Sequence, residues 1–231
     1  MERQLPIFSE DHNRYSMQTI GYHKNSWNLA RIEKDLESIL RSRYKVVLSG
    51  RGLVTAAVLV PLLAKEGEAH VLLTKRSDQV EHHKGEISFP GGKLDPTDRD
   101  LQACALRETE EEIGVAPSDV RIVGELDDFY TVATHFHVVP FVGIIPYPYH
   151  FRPSSREIAS LLNVPLRIFF EPHRRREEIW TFHGQSVEVV SYLWEGHNIW
   201  GATARILKHL AEVLANGRPV TEVGPSNAQY P

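Results

Sequence analysis

The six residues Arg107-Glu108-Thr109-Glu110-Glu111-Glu112 concentrate the chain's chemistry. On a helix, positions 108, 111 and 112 stand at i, i+3 and i+4, so three carboxylates share one face and repel one another by about a few tenths of a kcal/mol per pair. A hard divalent cation offsets that repulsion, because it takes oxygen ligands and accepts several carboxylates at one point. A solvated acidic face is the alternative for any Glu-rich helix, and the flanks favour the cation. Upstream, Phe89-Pro90-Gly91-Gly92 is a loop whose paired glycines permit positive φ and a close approach of backbone to a ligand. Downstream, Ile113-Gly114-Val115 reads as a helix stop, with Gly114 in the left-handed capping position.

Further charges surround this unit. Asp98 or Thr97 can cap the helix, with Pro96 just ahead. Arg107 is read as holding the loop by pairing with Asp98, Asp95 or a glutamate, a task that suits a bidentate guanidinium. Lys75, Arg76 and Lys84 precede the glycine loop; each alone reads as a solvated charge, and together they read as a group near phosphate. Glu157 is a further acid, either capping a short helix or joining the site. Adjacent His82 and His83 would point opposite ways on a strand, and His135-x-His137 has no third ligand, so both pairs are read as structural or rim residues. Trp180, Trp194 and Trp200 read as core or interface residues.

The elements that must position these groups follow from periodicity. Ser26 caps an amphipathic helix reaching about Arg43, with Leu29, Ile32, Leu36, Ile39 and Leu40 as its apolar stripe. Leu53 to Leu63 is a nearly continuous apolar run, expected as a strand covered on both faces, and turns through Lys65-Glu66-Gly67-Glu68 into a second strand, His70 to Thr74. Val120 to Tyr130 and Phe136 to Ile145 are two more strands, joined by 131–134. Ser154 or Ser155 is expected to start a short helix through Leu162. His183-Gly184 joins a hairpin of 178–182 and 185–194, and Ala202 to Ala215 is the last helix. Short strands flanking one helix predict the α/β class, an α/β/α sandwich around a mixed β-sheet.

The 231 residues, 42% of them hydrophobic, suit one large domain. A net charge of −4 leaves no broad basic surface, which argues against nucleic acid and anionic membranes and favours a small molecule. The single cysteine, Cys104, excludes an internal disulfide and suits a reducing, cytoplasmic setting. Met1 to Ile20 lacks the apolar run of a signal peptide, and no stretch approaches the roughly 20 apolar residues that span a bilayer.

Gly92, Arg107, Glu108, Glu111, Glu112, Gly114 and Val115 together resemble the Nudix box, with Asp98 where a glutamate is usual and Arg107 one residue later than usual. Leu72-Leu73-Thr74-Lys75-Arg76-Ser77, followed by Gly85-Glu86-Ile87-Ser88-Phe89-Pro90-Gly91-Gly92, resembles the coenzyme A pyrophosphatase branch of that family, which has an arginine where this chain has Glu81. Ile199 to Ala204 is also similar to that branch. The resemblance implies a Nudix hydrolase domain over 26–216 (core 53–214), between an N-terminal extension (1–25) and a flexible tail (217–231). It implies Mg²⁺ or Mn²⁺ held by Glu108, Glu111 and Glu112, with Glu112 the safest ligand and Glu108 either ligand or base. Glu108, Glu111, Arg107 and Glu157 form the implied catalytic set, and Arg76, Lys84, Gly91 and Gly92 the substrate-binding set. The implied reaction is hydrolysis of the diphosphate of coenzyme A or acyl-CoA to 3′,5′-ADP and 4′-phosphopantetheine or its acylated form, by a possible homodimer. Hydrolysis of ADP-ribose or another nucleoside diphosphate derivative is the alternative, and a non-catalytic ligand-binding module a third reading.

Overall fold

The computed structural model describes residues 27–48, 52–78, 84–131, 135–182 and 185–216. The expectations for the N-terminal extension, the Ser26 cap, Glu81, the His82-His83 pair, the 132–134 link, the 183–184 turn and the tail lie outside these residues.

Helix α1 (Leu29–Ser42) is capped by Asn28, whose Oδ1 accepts from the Ala30 N–H at 3.0 Å, and it buries Ile32 and Leu36. The hairpin of β1 (Val54–Lys65) and β2 (Glu68–Arg76) turns at Glu66 and Gly67, both at positive φ. The large sheet also holds β3 (Ile87–Ser88), β4 (Gly91–Lys93), β5 (Arg121–Glu125), β6 (Phe129–Thr131), β7 (Phe136–Ile144) and β8 (Ile158–Pro165), in the order β3-β2-β1-β7-β5, with β4 on β1, β6 on β7 and β8 on β2. It is mixed: β1 runs parallel to β7 and antiparallel to β2. The apolar run 120–130 is two strands, since the chain leaves the ladder after Glu125.

Period-two alternation along β1 assigns its side chains to two layers. Ala57 and Leu59 pack against Cys104 and Ala105 of α2 (Leu101–Ile113). Ala56, Val60 and Leu62 face the opposite way, into a core shared with α1 and α3 (Gly201–Asn216). Helices therefore cover both faces of a mixed sheet, the α/β/α arrangement expected.

One expectation is corrected. Residues 154–162 are not a helix: a turn over 155–157 leads into β8, which pairs antiparallel with β2 from His70 to Arg76. The i, i+3, i+4 spacing of Ile158, Leu161 and Leu162 imitates a helix, but Ile158, Leu162 and Val164 are the buried side of a strand covering the β2 edge. Of the tryptophans read as core or interface, Trp194 packs against the core, and Trp180 and Trp200 are exposed. Among the described residues no helix is long and apolar enough to cross a membrane.

Candidate active site

Helix α2 is capped by Asp100, not by Asp98 or Thr97: Asp100 Oδ1 accepts from the Ala103 N–H at 2.7 Å. Asp98 is engaged elsewhere. Its Oδ1 accepts from Arg107 Nε at 2.8 Å and its Oδ2 from Arg107 Nη2 at 3.0 Å, while Oδ2 also accepts from the Asp95 N–H at 2.8 Å. The Arg107 hydrogen bonds pull the Asp98 carboxyl down to about 2. At the other end Gly114 takes φ 73° and its N–H reaches Glu110 O, closing the helix as expected.

The glycine loop is β4, which pairs with Ala56–Val58 of β1. A Cβ on Gly92 would lie 2.4 Å from Glu108 Cδ, so the carboxylate of Glu108 rests where any other residue would have a side chain. Gly91, at φ 153°, would bring a Cβ within 2.5 Å of Ala57 O. Its N–H favours the charged form of Glu112. Arg107 Nη1 donates to Glu108 Oε1 at 2.9 Å and to Glu111 Oε2 at 3.2 Å, and Nη2 donates to Lys93 O at 3.3 Å. One guanidinium thus ties the loop, the acidic spacer and two glutamates of the helix together.

The three carboxylates differ in environment. Glu112 is 5% exposed, Glu108 is half-buried, and the Glu111 side chain is 59% exposed. Burial, partly opposed by Arg76 and the Gly91 N–H, pushes Glu112 up to about 8, and burial also raises Glu108 against the pull of Arg107. Arg76 Nη1 stands 3.9 Å from Glu112 Oε1, at a register shift between Lys75 and Arg76 that aims this side chain at the helix. Glu157, exposed in the turn before β8, raises both Glu108 and Glu112 through its charge and receives the Ser77 N–H on its carbonyl. The structure therefore brings together Arg76, Gly91, Gly92, Arg107, Glu108, Glu111, Glu112 and Glu157. Lys84 is exposed ahead of Gly85, and neither it nor Lys75 forms an ion pair among the described residues.

A model of the NUDIX domain matches residues 53–160. Over 162 residues the chain is 37% identical to the uncharacterized Nudix hydrolase NudL of Yersinia pestis (strain Pestoides F), spanning 69% of this chain and 79% of the relative. It belongs to the Nudix hydrolase family. The NudL of Yersinia pseudotuberculosis serotype O:1b (strain IP 31758) is similar to the same extent. Among solved structures, a C. elegans Ap4A hydrolase binary complex is 22% identical, with a TM-score of 0.42, over 50% of this chain and 82% of that one. The family assignment rests on the sequence relatives.

Nudix hydrolases act on phosphoanhydrides and generally use divalent metal ions. Among the described residues no three His, Cys, Asp or Glu side chains gather closely enough to ligate one ion, and Arg107 engages one oxygen each of Glu108 and Glu111. The donors nevertheless fit a hard cation. All are carboxylate oxygens, and Glu112 Oε2 is buried with no hydrogen-bond partner, a costly state for an anion that a cation would relieve.

Sequence reasoning ranked Glu112 first among the three glutamates by resemblance, but missed both its burial and its approach to Arg76. It also missed a buried charge cluster away from the box: Arg43 Nη1 meets Asp127 Oδ1 at 2.5 Å, Lys45 Nζ meets Asp128 Oδ1 at 2.8 Å, and His137 Nε2 meets Asp128 Oδ2 at 2.8 Å. His137 is thus a structural partner of Asp128, and the adjacent acids Asp127-Asp128 were the available signal.

Proposed function

We propose that this Nudix hydrolase cleaves the diphosphate of coenzyme A or acyl-CoA, giving 3′,5′-ADP and 4′-phosphopantetheine or its acylated form. The observation that carries the reading is the union of the two halves of the extended signature. Residues 72–77 and 85–92 meet as β2 and β3, with Thr74 opposite Ser88 and Lys75 opposite Ile87. Thr74 Oγ1 donates to Ser88 O, and the Arg76 N–H donates to Glu86 O. This unit adjoins Glu112 through Arg76.

Glu112, Glu111 and Glu108 are the residues that would hold Mg²⁺ or Mn²⁺. Such an ion supplies charge neutralisation for the diphosphate and a more acidic bound water. The Arg76 side chain is 27% exposed beside Glu112, where its guanidinium would meet a phosphate oxygen. Gly92 leaves room for the Glu108 carboxylate, and Gly91 lets the loop lie against β1, so the two glycines place the loop beside the carboxylates. Arg107 holds the loop to the helix, and Glu108 or Glu157 accepts the proton of the attacking water. The water oxygen bonds to one phosphorus while the bond from phosphorus to the leaving phosphate oxygen breaks.

Incubation with coenzyme A and with ADP-ribose separately, each with Mg²⁺ or Mn²⁺, followed by chromatography, tests the reading. Formation of 3′,5′-ADP from coenzyme A supports it. Cleavage of ADP-ribose alone keeps the reaction class and discards the substrate, and cleavage of neither refutes both.

A further inference from the structure

Strands β9 (Arg175–Phe182), β10 (Gln185–Trp194) and β11 (His197–Trp200) form a second sheet in the order β11-β10-β9. Its inner face lies on α3: Val190, Tyr192 and Ile199 are buried in the main core, and Lys208 of α3 binds Glu177 at 3.1 Å and Glu188 at 2.9 Å. Alternation puts the neighbouring residues on the outer face. That face is apolar where a solvated antiparallel sheet would be polar. Trp180, opposite Val187, is 51% exposed; Trp200, opposite Ser191, is 41% exposed; Leu193 is 37% exposed; and Val189 lies between them. Two tryptophans and a leucine left in water on one sheet face mark an interaction surface.

The charges on the face indicate what covers it. Arg176 and Glu178 flank Glu177 on β9, both pointing outward, and Arg176 forms no ion pair among the described residues. Among the described residues Glu178 Oε2 accepts only from Trp180 Nε1, at 2.8 Å. A two-fold axis lying in the plane of the face, at right angles to the strands and at the level of Glu177 and Val190, exchanges the two positions. It sets Arg176 against Glu178 of a second copy, twice. By the register, Ser191 lies level with Arg176 and Val189 with Glu178, while Val187 and Leu193 stand three residues to either side of Val190. The same axis therefore lays Leu193 over Val187 of the second copy. Opposite charges and apolar partners fall into place together, as a self-complementary patch requires.

We propose that this outer face packs against the same face of a second copy, forming an isologous dimer with reciprocal Arg176–Glu178 pairs. Two such sheets pack about 10 Å apart with their side chains interdigitated. The test is sedimentation equilibrium of the full chain at about 1–100 μM, for the wild type, Arg176→Glu, Glu178→Arg and the double exchange. Both residues are exposed, so circular dichroism is expected to show each variant folded. The wild type is expected at twice the 26.3 kDa chain mass. Each single exchange should weaken association tenfold or more by opposing like charges twice, and the double exchange should restore it. A wild type that stays monomeric at the highest concentration overturns the proposal. So does a dimer indifferent to the single exchanges, or one that the double exchange fails to restore.

Discussion

Gly91 and Gly92 are neighbours in one loop, yet alanine at each should fail differently. A Cβ on Gly92 would stand 2.4–2.6 Å from the carboxylate atoms of Glu108, and an ordinary contact needs at least 3.4 Å, so that carboxylate must retreat by about 1 Å. It is the far end of a flexible side chain, and an off-rotamer adjustment costs about 1 kcal/mol, or a fall of about 2–4 °C in Tm for a domain of this size. A misplacement of about 1 Å in a reacting group costs on the order of 10²-fold in turnover. On Gly91 the Cβ would instead meet Ala57 O at 2.5 Å and Val58 Cα at 2.6 Å, at a φ of 153° that side chains avoid. Backbone cannot step aside, so Gly91→Ala should cost about 3 kcal/mol or more and lower Tm by roughly 6–12 °C. Thermal unfolding and initial rates of diphosphate hydrolysis, measured on both variants, separate the two effects. The reasoning fails if Gly92→Ala keeps turnover within threefold of wild type, or if it loses as much stability as Gly91→Ala.

Other outcomes follow from single contacts. Asp98 is held near 2 by Arg107, so its contribution to stability is complete above about pH 4 and lost as pH falls toward 2; Asp98→Asn should flatten that acid limb in urea unfolding at pH 5, 4 and 3. Burial pushes the Cys104 thiol up to about 11, and its Sγ lies 3.3 Å from Lys93 O; a thiol reagent at pH 8 should label it only at the rate of unfolding, and fast labelling of the folded chain would contradict the burial. Arg43→Ala strands the buried Asp127 carboxylate beside His209 and should cost about 3–5 kcal/mol by denaturant unfolding. A loss below 1 kcal/mol would show the pair to be solvated.

Helix α2 is legible in the sequence because its signals are local: spaced carboxylates, a glycine loop before it and Gly114 after it. Its cap is less so, since Asp95, Thr97, Asp98 and Asp100 all have the right chemistry, and only the capture of Asp98 by Arg107 leaves Asp100 to cap. The β1–β2 hairpin could be read from its apolar run and its Glu66-Gly67 turn. Strand β8 could not, because 158–165 becomes a strand by pairing with β2, about 90 residues earlier, and no local pattern encodes that partner. The unequal burial of the three glutamates is hidden for a similar reason: β4 and Arg76, which lie against Glu112, meet the helix only in the folded chain.

The central claim is that Glu112 is buried to serve a cation and not to hold the fold together. Glu112→Gln, compared with wild type for Mg²⁺-dependent hydrolysis and for Tm, tests it directly. Turnover should fall on the order of 10²-fold or more, while Tm holds or rises, because the buried Oε2 makes no hydrogen bond that the amide would lose. Turnover within a few-fold of wild type, or a large fall in Tm, would contradict the account.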